Sequence, residues 1–258
     1  MIKNFIVVAS GKGGVGKSTV ALNLAVSLAK NKKLKIGLLD ADIYGPSVPK
    51  MLGIKEKPVA SESKKINPYE KFNIKSMSIG NMIPDENAVI WRGVMASNAI
   101  RQLLNDVDWG ELDFLIIDLP PGTGDIQLSL CQNLNISGAV IVSTPQEISL
   151  LDVRKAINMF KKVNVPIIGI IQNMSYLEVD KKKNYIFGKD GVLNESKKQN
   201  LNFLGDIPII SEISSACDAG VPVTSNANAL INRIFDEISE SIINFVKKSK
   251  KFETKISN

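Results

Sequence analysis

The sequence predicts an α/β fold in which helices flank a doubly wound, mostly parallel sheet. Apolar, β-branched runs recur along the chain with helical patterns between them, as expected when crossover helices join parallel strands. A glycine-rich segment separates the first strand from the first helix, at the edge where a doubly wound sheet binds its ligands. Strands are predicted near residues 4–9, 35–40, 113–118, 138–143, 166–172 and 202–207.

Helical patterns are clearest near the two ends of the chain. After the first strand, an apolar face that includes Val20, Leu24 and Leu28 predicts a helix that ends near Asn31. Residues 226–250 predict a second helix, packed on the sheet. The apolar stripe of this second helix consists of Leu230, Ile234, Ile238, Ile242 and Phe245.

Two stretches, 55–80 and 174–200, do not follow the regular winding and are predicted to form loops or small hairpins on the sheet. In the second stretch, Leu177-Glu-Val is predicted to pair with Tyr185-Ile-Phe around a polar turn from Asp180 to Asn184.

Composition limits the chemistry that the chain can perform. Its 258 residues, 44% of them apolar, suit one domain over 1–258 with a basic tail from about 248. Histidine is absent, which excludes Ser-His-Asp triads and imidazole metal ligands. The net charge is +6, but the surplus is lysine with only four arginines, so nucleic-acid binding is not expected.

No apolar stretch approaches the length of a membrane helix, and residues 4–9 enter a strand without the pattern of a signal peptide. The sequence therefore predicts a cytoplasmic protein with no membrane partner. The two cysteines, Cys131 and Cys217, lie far apart, which excludes a disulfide framework. The register of Cys131 with Leu128 predicts that its thiol packs against the core.

A complete phosphate-binding loop follows the first strand. Residues 11–19 read Gly-Lys-Gly-Gly-Val-Gly-Lys-Ser-Thr. In such a loop the backbone amides surround the phosphates, Lys17 reaches the β and γ oxygens, Ser18 ligates Mg²⁺ and Thr19 contacts the α-phosphate. ATP and magnesium are therefore the predicted cofactors. The predicted nucleotide-binding residues of the loop are Gly11, Lys12, Gly13, Gly14, Val15, Gly16, Lys17, Ser18 and Thr19.

Polar side chains also follow the other predicted strands. Alternate residues of an extended chain point the same way, so Asp40 and Asp42 are both expected to face the phosphates, one ordering the Mg²⁺ shell and the other orienting the attacking water. Asp118 ends a buried strand and is the predicted water-mediated Mg²⁺ ligand. Asp125 is predicted to cap the next helix, and the amide of Asn173 to pair with the adenine edge.

A second lysine in the loop, Lys12, cannot easily reach the same phosphates from its own backbone position. In this respect the loop resembles the deviant Walker A motif of the SIMIBI ATPases, which include the MinD, ParA and Mrp proteins. The resemblance implies an ATP-sandwich homodimer in which Lys12 contacts the partner's nucleotide, with Lys12, Lys17 and Asp42 as the catalytic residues. It further implies that Asp42 orients the water and that Asp40 lies in the second shell of the Mg²⁺.

Other loops resemble those of the Mrp/ApbC family of iron–sulfur cluster carriers, in order, from about residue 3 to residue 245. The longest matches are Asp-Ile-Tyr-Gly-Pro-Ser-Val-Pro (42–49), Asp-Leu-Pro-Pro-Gly-Thr-Gly-Asp (118–125) and Asn-Met-Ser-Tyr (173–176). Shorter matches lie at 91–93, 109–113, 185–188, 204–208 and 218–222. The family implies a dimeric ATPase that holds a [4Fe–4S] cluster between its subunits and passes it to apo iron–sulfur proteins.

The chain departs from that family where the family has its Cys-x-x-Cys pair, because residues 177–184 read Leu-Glu-Val-Asp-Lys-Lys-Lys-Asn. Val94 also replaces the proline that follows Trp-Arg-Gly in the family. Clusters are held by thiolates, and of the two cysteines only Cys217 is left as a candidate ligand. Three functions stay open: a cluster carrier that uses Cys217 or a partner's thiols, a nucleotide-switched adaptor without a cluster, and a MinD-like or ParA-like positioning ATPase.

Overall fold

A sheet forms the centre of the protein in a computed structural model, which describes residues 1–30, 34–60, 65–82 and 93–256. The strands are β1 (Phe5–Ala9), β2 (Ile36–Asp40), β3 (Tyr69–Lys71), β4 (Ile74–Ser78), β5 (Phe114–Asp118), β6 (Ile136–Ser143), β7 (Ile167–Val179), β8 (Lys182–Asn184) and β9 (Phe203–Ile209). Within the described residues they join one nine-stranded sheet in the order β3-β4-β2-β5-β1-β6-β7-β8, with β9 paired to β7. The Trp91-Arg92 pair of the family resemblance lies outside the described residues.

Helices cover both faces of this sheet. They are α1 (Lys17–Lys30), α2 (Val48–Met51), α3 (Gly93–Asp106), α4 (Asp125–Asn133), α5 (Glu147–Lys162), α6 (Gly191–Gln199), α7 (Ser211–Ala219) and α8 (Ala229–Ile256). One apolar layer joins the sheet to α1 and α8 through side chains such as Leu22 and Phe235. The other joins it to α3, α4 and α5 through Ile100, Leu130 and Phe160. Each face thus buries its own core.

All six predicted strands are present, and the predicted fold class is confirmed. β1, β2, β5 and β6 pair in parallel, and their residues are almost completely buried. Continuous apolar runs are typical of strands that are covered on both faces, which is why these segments could be read from the sequence. Parallel pairing brings their carboxyl ends to one edge of the sheet.

The prediction of loops or small hairpins over 55–80 was only partly right. β3 and β4 do form a hairpin, with Phe72 and Asn73 in the left-handed conformation at its turn (φ 51° and 61°). However, β4 also pairs in parallel with β2 and is a full member of the sheet. The strand was not predicted because Ser76 and Ser78, although buried, interrupt the apolar run that marks a buried strand in a sequence.

The 174–200 stretch also contains more regular structure than predicted. A hairpin is present, but Val179 pairs with Lys182 and Leu177 with Asn184, so the return strand is 182–184 and not 185–187. The register differs because Asp180 and Lys181 alone make the turn, both left-handed (φ 51° and 61°). Residues 191–199 form α6, although the sequence predicts only loops or small hairpins in this stretch.

Two helix predictions need correction. Leu230 was placed on the packed stripe of α8 but is 41% exposed, whereas Ile231, Phe235 and Ile238 are buried. Asp125 was expected to cap α4, but Gly124 occupies that position and Asp125 begins the first turn. There its carboxylate still complements the helix dipole. No helix among the described residues is long and apolar enough to cross a membrane.

The packing of α8 can be tested with a matched pair of truncations. Ile238→Ala removes a fully buried side chain from the core layer between α8 and the sheet. It is expected to lower the free energy of unfolding by about 2–5 kcal/mol. Leu230→Ala, on the exposed side of the same helix, should cost about 1 kcal/mol or less in denaturant titrations. Equal losses would contradict the observed register of α8.

Candidate functional site

The phosphate-binding loop lies at the carboxyl end of β1 and leads directly into α1. Gly14 and Gly16 have positive φ angles of 79° and 81°, a conformation that only glycine adopts without strain. Ser10 Oγ donates a hydrogen bond of 2.8 Å to the Lys12 carbonyl and fixes the first part of the loop. The predicted segment 11–19 therefore forms a loop, with Val15 buried beneath it, that runs into the first turn of α1 at Lys17.

Lys17 lies inside this turn and makes an ion pair with Asp118. Its Nζ is 2.6 Å from Asp118 Oδ1 and 3.7 Å from Asp42 Oδ2. The same ammonium donates a 3.2 Å hydrogen bond to Ser18 Oγ. Only 6% of the Lys17 side chain is exposed, so the structure brings four predicted site residues together in one nearly dry cluster.

Asp118 is the most deeply buried member of this cluster. Burial raises the pKa of its carboxyl group, and the nearby Lys17 ammonium opposes that effect. Its second oxygen, Oδ2, is buried without a hydrogen-bond partner from any described residue. An orphaned carboxylate oxygen beside the Ser18 hydroxyl suits a hard cation, because Mg²⁺ prefers oxygen ligands. The donor set therefore fits the predicted magnesium.

Asp40 and Asp42 do not face the same way, contrary to the prediction. Strand β2 ends at Asp40, so the alternation of side chains stops before Asp42. Asp40 Oδ1 accepts a 3.1 Å hydrogen bond from the Asp42 amide. Its Oδ2 accepts hydrogen bonds from the Val48 amide at 3.1 Å and from Ser78 Oγ, on β4, at 2.9 Å. Burial, with a smaller contribution from Asp118, raises the pKa of Asp40 to about 7. Asp40 therefore organises residues 42–48, and Asp42 alone lines the phosphate cavity.

Two cavities meet at the P-loop. The first, of about 200 Å³, is lined by the loop together with Asp42 and Pro121. The second, of about 590 Å³, is largely apolar and shares Gly16 and Thr19 with the first. A cavity formed by the phosphate loop beside a larger apolar cavity suits the two chemical halves of a nucleotide, its phosphates and its base.

Asn173 stands in the wall of the apolar cavity, on β7. Its Nδ2 donates a 2.8 Å hydrogen bond to the Val15 carbonyl, and a Cβ atom on Gly16 would come within 2.2 Å of that nitrogen. β7 therefore holds the P-loop directly. Other parts of this wall were not predicted as site residues; they include Phe187, Ile207, Pro208, Ile213 and Phe235. Phe187, Ile207 and Pro208 fall within the family-like segments 185–188 and 204–208, but no local pattern shows that they meet Ile213 and Phe235 in one cavity.

The two cysteines occupy different environments. Cys131 is buried in α4, as predicted, and burial raises the pKa of its thiol to about 12. Cys217 is half-buried in the apolar cavity, with Sγ 3.9 Å from Thr19 Oγ1, and burial raises the pKa of this thiol also. Among the described residues, no three Cys, Asp or Glu side chains lie together in a way that could hold a metal ion. Cys217 therefore lines the apolar cavity and is not part of a group of metal-ligating side chains among the described residues.

Lys12 lies at the rim of the loop. Its side chain is half-buried, and no carboxylate of the described residues lies within ion-pairing distance of it. The position leaves the ammonium group available to a ligand or to another chain.

Comparisons with known proteins agree with this geometry. The family model of the NUBPL iron-transfer P-loop NTPases, of the ParA group, matches residues 1–243. The mouse iron–sulfur cluster transfer protein NUBPL is 50% identical over 225 residues, covering 86% of this chain and 70% of the relative. The iron–sulfur cluster carrier protein of Aquifex aeolicus is 46% identical over 255 residues, covering 94% and 70%.

A solved structure is also similar. The nucleotide-binding protein of Archaeoglobus fulgidus in complex with ADP superposes with a TM-score of 0.76 at 39% identity, covering 88% of this chain and 90% of that protein. The residues that the family model matches, 1–243, include the P-loop, β5 with Asp118, and the strands that carry the apolar cavity. The chain thus belongs to the NUBPL iron-transfer family of ParA-type P-loop NTPases.

Proposed function

We propose that this ATPase works as a Mg²⁺-dependent homodimer in the delivery of iron–sulfur clusters to apoproteins, with partner thiols holding most of the cluster. The observation that carries the proposal is the complete phosphate site, in which Lys17, Ser18 and Asp42 line one cavity and the buried Asp118 is paired with Lys17 behind it. The names of the relatives, an iron–sulfur cluster transfer protein and a cluster carrier, support the role in delivery.

The first step of the proposed cycle is an exchange of ion pairs. As the phosphates enter, Lys17 leaves Asp118 and moves to the β and γ oxygens, where it balances their charge. Asp118 would then be free to hold the water shell of a bound Mg²⁺, and Ser18 would supply a hydroxyl ligand. The ion would neutralise charge that develops on the phosphate oxygens. Asp40 remains a candidate for the second shell of the Mg²⁺, because it accepts hydrogen bonds from amides of the loop that carries Asp42.

Hydrolysis then depends on Asp42 and Lys12. Asp42 lies 3.7 Å from Lys17 and accepts a 3.3 Å hydrogen bond from the Gly45 amide, which holds the carboxylate at the mouth of the cavity. From there it orients the attacking water. Lys12, at the rim and without a local carboxylate, reaches the nucleotide of the second subunit. Asn173 and the apolar cavity receive the adenine base.

The cluster enters as cargo, and the residues of this chain do not fit a complete binding site for it. A dimer contains two copies each of Cys131 and Cys217, and Cys131 is buried in the core. Two Cys217 thiols are too few for a cluster that is held by four thiolates. The hairpin 177–184 occupies the place of the family's cysteine pair and contains no thiol. That observation also favours a second candidate function, a nucleotide-switched adaptor without cargo.

For Lys12→Ala we expect ATP binding close to wild type and a loss of hydrolysis of about 100-fold, because the group that acts across the interface is gone. Equilibrium ATP binding and steady-state phosphate release measure the two effects, and nucleotide-dependent dimerisation should be lost together with hydrolysis. Lys35→Ala, which removes an exposed lysine at the opposite edge of the sheet, is the matched control and should behave as wild type. Mixing Lys12→Ala with Lys17→Ala subunits should restore one working site; failure of this complementation would contradict a role across the interface.

For Asp42→Asn we expect Mg·ATP to bind but single-turnover hydrolysis to slow by about 100-fold, because the amide orients water poorly. The closed dimer should then persist longer. Asp40→Asn is the comparison. Asp40 accepts hydrogen bonds from the Asp42 and Val48 amides of the following loop, so its substitution should disturb the structure of that loop and not the hydrolysis step alone. Unchanged single-turnover rates in Asp42→Asn would move the water-orienting role to another residue.

Anaerobic reconstitution with iron and sulfide tests the cargo directly. The isolated protein should take up less than one [4Fe–4S] cluster per dimer, in a labile form, and Cys217→Ser should remove what is bound. Adding a thiol-bearing apoprotein should raise occupancy in an ATP-dependent manner. A stable cluster of about four irons per dimer in Cys217→Ser would disprove the ligand count. Absence of cluster with and without the apoprotein would favour the adaptor.

A further inference from the structure

The start of the P-loop lies directly against α5. A Cβ atom placed on Gly11 would come within 2.3 Å of the carbonyl carbon of Asp152, in the second turn of that helix. No side chain fits between the two backbones. Since the loop is set against the helix without intervening space, a shift of α5 must move Gly11 and Lys12 with it.

The same part of α5 is tied to α6 by a bidentate ion pair. Arg154 Nε lies 3.1 Å from Glu195 Oε1, and Nη2 lies 2.8 Å from Oε2. The side chain of Glu195, on α6, is only 2% exposed, whereas that of Arg154 is 33% exposed. The third guanidinium nitrogen, Nη1, lies 3.0 Å from Glu147 in the first turn of α5. One planar guanidinium therefore joins the beginning of α5 to α6.

α6 is in turn attached to the strand that holds the far side of the P-loop. The Val192 amide donates a 3.0 Å hydrogen bond to Gln172 Oε1, and the next residue, Asn173, donates to Val15. At the start of α6, a Cβ atom on Gly191 would lie 2.1 Å from the Pro145 carbonyl oxygen, two residues before α5 begins. α5, α6 and β7 thus form one connected support that touches the P-loop at both ends.

We propose that the Arg154–Glu195 ion pair is a positioning element for ATP hydrolysis, because it keeps α5 seated against the first residues of the P-loop. Neither residue lines the phosphate cavity or the apolar cavity. The pair acts through Gly11 and Lys12 and does not contact the nucleotide. Loss of Arg154 would leave the Glu195 carboxylate without its ion-pair partner and with Gln199, 3.0 Å away, as its remaining hydrogen-bond donor. A buried charge that loses its partner is relieved by moving the group or protonating it.

The inference rests on hydrolysis at the P-loop, which is part of the proposed function, and it is tested with variants that preserve volume. Glu195→Gln removes the charge but keeps the shape, and kcat for ATP hydrolysis is expected to fall about tenfold with KM changed less than about twofold. Amide hydrogen exchange at residues 11–16 should accelerate in the same variant. Arg154→Lys keeps the charge but loses the planar fork, and a smaller fall of about threefold is expected.

The matched control is Arg233→Gln, which breaks an exposed Arg–Glu pair on α8 (3.6 Å to Glu237) and should leave kcat and exchange at residues 11–16 unchanged. All assays are run well below the lowest thermal midpoint in the set, so that loss of folded protein does not enter kcat. Wild-type kcat and wild-type exchange in folded Glu195→Gln would overturn the inference. If Glu195→Gln does not fold, wild-type kcat in Arg154→Lys overturns it. Hydrolysis that survives Lys17→Ala would instead contradict the proposed function, so the two failures are distinguishable.

Discussion

Lys17 and Asp118 form an ion pair that water scarcely reaches, and the cost of removing both charges from water is offset only when their contact is close. Their 2.6 Å separation is set by the sheet. Val8, near the end of β1, lies in register with Asp118 on β5, and Asp118 lies in register with Asp40 on β2. The parallel pairing of three buried strands therefore decides where the phosphate loop, the Asp118 carboxylate and the loop after β2 meet. The other parts of the site are arranged around that meeting point.

Local pattern was enough to predict the strands that carry these residues. Apolar runs covered on both faces, and a glycine loop with a fixed spacing, are encoded within a few neighbouring residues. β4 and α6 were missed, because buried serines and a polar helix surface gain their meaning only from contacts with distant elements. The wall of the apolar cavity is a similar case. Phe187, Ile207 and Phe235 come from three separate segments and share no motif.

The sequence indicated that Asp40 and Asp42 belong to the site, but not that their side chains have different surroundings. A strand of uniform geometry would point Asp40 and Asp42 in the same direction, but β2 ends between them. The chain then turns so that the carboxylate of Asp40 accepts hydrogen bonds from backbone amides of the loop that follows it. The register of the β7–β8 hairpin also depends on local backbone geometry. Two left-handed residues, Asp180 and Lys181, set a tighter register than the polar composition of the turn suggested.

The charge within the phosphate cavity has a consequence for the form in which nucleotide arrives. Lys17 faces two carboxylates, Asp118 at 2.6 Å and Asp42 at 3.7 Å, so these three groups together do not attract anions. A free polyphosphate approaching them is repelled, and the repulsion is strong because the surroundings are largely shielded from water. Its magnesium chelate carries two fewer negative charges and meets a lower barrier. These two carboxylates therefore favour entry of the chelated nucleotide over the free one, and a supply of magnesium around the protein aids the filling of the site.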